Sequence, residues 1–198
     1  ITPASSILRR MLEMLPAAGG VAVQGEDEIA SIGFCIGAAM TGAKAMTATS
    51  GPGMSLYSEN IGLAIMGEVP LVIVNVQRMG PATGGATTTA EGDVQFCRWV
   101  TSGGYPLVVY AATNVADAYR LTIEAFNTAE RLRTPVILLS SKDLAMTCET
   151  VRVDEFQRPA RSERTAGDGT PYRFRDSADV PGFLAIGGDR LTRFTGSV

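Results

Sequence analysis

Residues 24–56, QGEDEIASIGFCIGAAMTGAKAMTATSGPGMSL, place two strand-to-helix turns within about thirty positions of each other. A short apolar run, Val21 to Gln24, gives out at Glu26-Asp27-Glu28 and is followed by a helix over Asp27–Thr41. A β-like run at Ala45–Thr49 then ends in Ser50-Gly51-Pro52-Gly53, which starts a second helix over Met54–Gly67. Turns of this kind, so closely spaced, sit side by side at the carboxyl edge of a parallel sheet, where open α/β sheets bind ligands. The rest of the chain keeps the same rhythm. A helix is expected over Ala4–Leu15 and a central strand over Leu71–Val76 (LVIVNV), apolar enough to be covered on both faces. Further elements follow at Glu91–Thr101 (helix), Leu107–Tyr110 (strand), a helix capped by Asn114 and running to Arg131, and Val136–Ser140 (strand). The alternation predicts a doubly wound, mostly parallel α/β sheet with helices on both faces over residues 1–150.

From residue 151 the character changes. Positions 152–179 hold six arginines and six acidic residues among prolines and glycines, which reads as an extended C-terminal linker or arm over 151–198 leading toward a further domain. At 198 residues, 45% hydrophobic and 19% charged, the composition is that of a globular domain, and a net charge of −3 gives no ground for nucleic acid binding. The longest apolar stretch, Ile61 to Val76, is broken by Glu68, Pro70 and Asn75, so no membrane span is expected. Three cysteines without paired spacing (Cys35, Cys97, Cys148) and no histidine leave no zinc or four-cysteine iron–sulfur site in this chain and exclude histidine-dependent hydrolases. Free cysteines without a secretory signal fit the cytoplasm.

Three stretches are candidate chemistry. Glu26-Asp27-Glu28 reads as charge at a helix start, with Asp27 as N-cap, or as a carboxylate poised at the mouth of a buried helix. That helix is apolar almost all round, and its Gly33 and Gly37 each cost about 1 kcal/mol against alanine, which a close backbone approach would explain. Ser50-Gly51-Pro52-Gly53 is either a plain tight turn or an anion cradle; it lacks the lysine of a P-loop. Arg78 ends the most apolar strand and precedes a loop of small residues, GPATGGAT, where it would take a carboxylate through two parallel hydrogen bonds or else pair with a glutamate. Gly167-Asp168-Gly169 reads as a turn, not as a diphosphate and magnesium motif, because it lies in a polar linker and no asparagine follows Asn127.

The opening ITPASS, then EDEIASIG, TATSGPGMSL and VQRMGPATG, in this order and separation, resembles the α subunit of 2-oxoacid:ferredoxin oxidoreductases, the pyruvate and 2-oxoglutarate synthase group. The resemblance covers the chain to about residue 150. In that family ITP is preceded by Tyr-Pro, so the chain is expected to be a piece of a longer polypeptide. The resemblance implies a domain that binds the aminopyrimidine end of thiamine diphosphate. A β subunit would hold the diphosphate, Mg2+ and a [4Fe-4S] cluster, in a dimer of heterodimers that uses coenzyme A and passes electrons to ferredoxin. Glu28 falls on the glutamate that meets the pyrimidine N1′, Arg78 on the arginine that binds the substrate carboxylate, and Thr2 and Thr87 on threonines lining the substrate pocket. Ser50, Gly51 and Pro52 fall on the cofactor-contacting turn. The loop departs from the family pattern at Ala82, Gly85-Ala86, Thr88, Ala90 and Glu91, mostly toward smaller residues, and the resemblance favours 2-oxoglutarate over pyruvate or a branched-chain oxoacid. Two other classes remain at this level: half of a non-redox thiamine diphosphate decarboxylase or ligase, and a non-catalytic α/β nucleotide-binding scaffold.

Overall fold

A computed structural model of the chain describes residues 2–152, 156, 158–167, 176 and 179–189. Ten elements alternate: α1 (Ser5–Met14), α2 (Glu28–Met40), β1 (Ala45–Thr49), α3 (Pro52–Met66), β2 (Leu71–Gln77), α4 (Val94–Arg98), β3 (Val108–Ala111), α5 (Val115–Leu132), β4 (Val136–Ser141) and α6 (Lys142–Met146). The four strands form one parallel sheet in the order β1-β2-β4-β3. Every residue of β2 is buried, as expected for a central strand with helices on both sides.

Alternation along the strands divides the core in two. Leu71 and Ile73 pack with Ile32, Ile36, Tyr57 and Ile61 of α2 and α3, and with Cys97 of α4. Val72, Val74 and Val76 face the other way, onto Leu121, Ala125 and Ala129 of α5 and onto Ala4 before α1. The segment leaving β2 crosses to the α4 side, whereas the one leaving β4 forms α6, whose Ala145 packs on the α5 side. The carboxyl ends of β2 and β4 therefore flank a topological switch point, the place in such sheets where a crevice opens.

Helix starts follow the expected chemistry. Asp27 Oδ1 accepts the Ala30 N–H at 2.7 Å and Asn114 Oδ1 that of Asp117 at 2.7 Å.

Three expectations are corrected. Val21 to Gln24 is not a strand: no neighbour pairs with it, and Val21 and Val23 are exposed. The helix expected over Glu91–Thr101 shrinks to α4. Gln77 Oε1 accepts the Asp93 N–H at 3.0 Å and Asn75 Nδ2 donates to Asp93 Oδ2 at 3.0 Å, so two side chains of β2 hold the chain out of helical geometry just before Val94. Finally, α2 buries only one side. Ile29, Gly33, Phe34 and Gly37 are exposed, and a methyl group at either glycine would meet nothing within 4 Å, so no close backbone approach within this chain accounts for them.

The described part of the arm carries no helix or strand beyond an isolated bridge between Ala166 and Phe183, yet it returns to the domain and buries Phe183 in the α2–α3 core.

Candidate active site

Glu28 is the first residue of α2, and its neighbour frees it for other work. Because Asp27 supplies the cap, the Glu28 carboxylate is not needed to satisfy helix N–H groups. It turns across the sheet edge, where Oε1 accepts from Thr49 Oγ1 at 3.4 Å at the end of β1. The floor beneath it is bare backbone: a Cβ added at Gly53 would lie 2.0 Å from Thr49 Oγ1 and 3.1 Å from Glu28 Oε1. Gly53 thus lets the Thr49 and Glu28 side chains lie directly against the backbone of α3, in space that any side chain at 53 would need. Thr47, one pleat below Thr49, shares a 2.6 Å hydrogen bond with the Tyr57 hydroxyl of α3. Burial pushes the Tyr57 phenol up to about 12, and the nearby Glu28 charge adds to that rise. Tyr57 therefore stays a neutral hydrogen-bonding group beneath the carboxylate.

The second half of the site lies one strand over. Arg78 follows β2 and is only 3% exposed. Its Nε has no hydrogen-bond partner, and the ion pairs of the described residues involve other cations. Among the described residues, the pairing with a glutamate that the sequence left open is not formed. A buried guanidinium without an anion is costly to hold, and such groups are kept where an anion arrives from outside. Arg78 rests against the turn after β1: a Cβ at Gly51 would sit 3.3 Å from its Nε. Gly51 has φ 49° and ψ −109°, a conformation that glycine adopts without strain. Ser50 Oγ, fully buried beside it, also lacks a partner, and Pro52 opens α3 at a position where its missing N–H costs nothing. Ser50, Gly51 and Pro52 thus join Glu28 and Arg78 along one edge.

The two threonines are placed less tightly. Thr2 and Thr87 are exposed, and neither hydroxyl bonds to Arg78. Thr2 lies two residues before Ala4, which packs in the same cluster as Val76 near the end of β2. The loop bearing Thr87 is tied down by Met79 N–H to Thr88 O (2.8 Å) and Thr89 Oγ1 to Asp143 Oδ1 (2.7 Å). Thr47, Thr49 and Tyr57 were missed from the sequence; the signal was polar threonines alternating on the inward face of a buried strand. Asn75 and Gln77, which fix the far end of the loop, were missed for the same reason.

Among the described residues no three His, Cys, Asp or Glu side chains cluster as a metal site. Gly167 donates its N–H to Phe183 O at 2.8 Å, while Asp168 and Gly169 lie outside the described residues. No described helix is long and apolar enough to cross a membrane.

Residues 1–188 match the family described as pyruvate flavodoxin/ferredoxin oxidoreductase, thiamine diP-bdg. The 2-oxoglutarate synthase subunit KorA of Archaeoglobus fulgidus is 52% identical over 151 residues, which is 76% of this chain and 44% of that protein. The subunit of the same name from Methanothermobacter marburgensis is 41% identical over 88% of this chain and 47% of its own length. The chain therefore spans under half the length of these relatives. Among solved structures, 2-oxoglutarate:ferredoxin oxidoreductase from Magnetococcus marinus, with 2-oxoglutarate, coenzyme A and succinyl-CoA bound, superposes with a TM-score of 0.88 at 35% identity, over 99% of this chain and 35% of that one.

Proposed function

This chain belongs to the thiamine diphosphate-binding family of pyruvate flavodoxin/ferredoxin oxidoreductases, and from that we propose that it is the pyrimidine-binding part of an α subunit that converts 2-oxoglutarate and coenzyme A to succinyl-CoA and CO2, or runs the reverse. Two electrons pass to ferredoxin in the oxidative direction. The observation that carries the reading is the Glu28 carboxylate, released from helix capping by Asp27 and held by Thr49 against the bare backbone of Gly53. The residues present fit an aminopyrimidine there: a carboxylate for a ring nitrogen, and a buried turn with an unpartnered hydroxyl at Ser50.

When bound, thiamine diphosphate supplies the carbon nucleophile and the electron sink that decarboxylation of a 2-oxoacid needs. Glu28 holds the proton at the pyrimidine N1′ and sets the basicity of the ring's amino nitrogen. Thr49, donating to its Oε1, fixes the direction in which that carboxylate points. Ser50, Gly51 and Pro52 form the wall against which the ring packs. Arg78 receives the substrate's 1-carboxylate as a bidentate ion pair, and the hydroxyls of Thr2 and Thr87 complete the pocket from the chain's start and from the loop. The small residues of that loop leave room for a substrate longer than pyruvate, and the names of the relatives favour 2-oxoglutarate.

The diphosphate, Mg2+ and a [4Fe-4S] cluster fall to a β subunit, and a dimer of such pairs is the expected assembly. The exposed apolar side of α2, with Ile29 and Phe34 beside Glu28, and the unpaired Val21 and Val23 suit burial against that subunit. The test is isolation of the full-length protein with its natural partner. The complex should reduce ferredoxin with 2-oxoglutarate only when coenzyme A is present. A partner without cluster cysteines and a complex that decarboxylates without passing on electrons would point to a non-redox enzyme instead.

A further inference from the structure

The carboxyl end of α2, like its start, is finished by groups from outside the helix. The last carbonyls of a helix have no partner within it. Here Ala39 O accepts from Arg164 Nη1 at 2.9 Å, beside the Gly42 N–H of the following turn at 3.1 Å, and Met40 O accepts from the Ile186 N–H at 2.9 Å; Arg164 and Ile186 belong to the C-terminal arm. Arg164 Nη2 also reaches Ala43 O at 3.3 Å. The same guanidinium grips Glu130 of α5 with Nε on Oε2 and Nη2 on Oε1, the latter at 2.8 Å. Its flat face lies 4.2 Å from the centre of the Phe183 ring, against which Arg133 packs at 5.4 Å. Asn127 clamps the strand of arm leading in, donating to Ala160 O and accepting the Ser162 N–H, each at 2.8 Å.

We propose that the arm is a positioning element for the site: through Arg164 it fixes α2 from its far end and so sets where Glu28 points. The inference rests on the role of Glu28 proposed above. The lever is about 17 Å long, eleven residues at 1.5 Å each. Three features make the far end matter. Of the buried residues of α2, none lies in its first turn; Ile32 is the first and Ala39 and Met40 the last. Gly33 and Gly37 weaken the helix between them and touch nothing, so the side of the helix they occupy gives no hold. The guanidinium is also a cation at a helix carboxyl terminus, the end it favours, and its second partner, Glu130, is almost wholly buried and so keeps it in place.

The test uses the full-length chain assembled with its partner, and three variants: Arg164→Met, Arg164→Lys, and the double variant Arg164→Met/Glu130→Leu, which leaves no buried carboxylate unpaired. Hydrogen exchange at the hydrogen-bonded amides of residues 30–34 should quicken about tenfold in Arg164→Met and in the double variant, against unchanged exchange in β2 and β4. In both, kcat should fall about tenfold while KM for the 2-oxoacid stays within about twofold, since Arg78 is untouched. Arg164→Lys, which keeps the charge and one donor, should recover part of each loss. A folded double variant with wild-type exchange at residues 30–34, or with faster exchange and wild-type kcat, overturns the proposal. A wild-type complex with no 2-oxoacid turnover would overturn only the reading of function; the exchange at residues 30–34 would still decide whether the arm holds the helix.

Discussion

Replacing Arg78 with methionine separates its two possible jobs, because they predict opposite effects on stability. Arg78 is buried, its Nε is unpartnered, and no described carboxylate pairs with it, so the folded domain bears the cost of a desolvated charge without return. Methionine has similar length, fits against Gly51 and removes that cost. The melting temperature of the assembled protein should therefore hold steady or rise, as it does when buried ionic groups give way to apolar ones of like volume. The substrate should suffer instead. A bidentate arginine–carboxylate contact comprises two charge-assisted hydrogen bonds at about 1.5–3 kcal/mol each, so its loss costs about 3 kcal/mol or more. At 1.4 kcal/mol per decade, KM for the 2-oxoacid should rise at least about a hundredfold. For the same reason saturating 2-oxoacid should raise the melting temperature of the wild type but not of Arg78→Met. The assays are steady-state kinetics and thermal melting with and without substrate. A variant that melts several degrees lower while KM stays put would show that Arg78 is a structural residue, and the substrate site would have to lie elsewhere.

Gly53→Ala puts a methyl group 2.0 Å from Thr49 Oγ1, against the floor under Glu28, and should cost at least tenfold in cofactor affinity while α3 itself gains helix propensity; titration of the assembled apoprotein with thiamine diphosphate checks it. The cysteines should divide by reactivity at pH 8. Burial pushes the Cys35 and Cys97 thiols up to about 11, which leaves about one molecule in a thousand as thiolate, and both should resist alkylation in the native chain, whereas exposed Cys148 should react first; mass mapping of timed iodoacetamide labelling reads this out.

How much of this was legible in the sequence depends on how local each cause is. β1 has the expected ends, and the caps at Asp27 and Asn114 hold their helices as the residue types dictate, since a strand in an apolar run and a cap three residues from its donor are short-range matters. Arg78 and Ser50-Gly51-Pro52 converge because the parallel topology brings the ends of β2 and β1 to one edge, which the alternation already implied. Glu28 instead reaches that edge from the start of α2, with no strand before it among the described residues. What stayed hidden acts across long separations. The shortening of α4 is set by Asn75 and Gln77 reaching Asp93, and no propensity of residues 91–101 records it. The arm read as balanced charge, yet Arg164 is spent on Glu130 and on the end of α2, partners 34 and 125 positions away. Likewise, apolar residues all round α2 point to a buried helix without saying what covers it, and within this chain Ile29 and Phe34 remain on an open side.

The most direct measurement is the turnover of Glu28→Gln in the full-length protein assembled with its partner, with thiamine diphosphate bound. Glutamine keeps the shape and the contact with Thr49 but cannot take up a proton, so kcat should fall about 10²- to 10⁴-fold with folding, assembly and substrate KM nearly unchanged. A variant that retains most of the wild-type rate would contradict the account, in which Glu28 holds the proton at the pyrimidine.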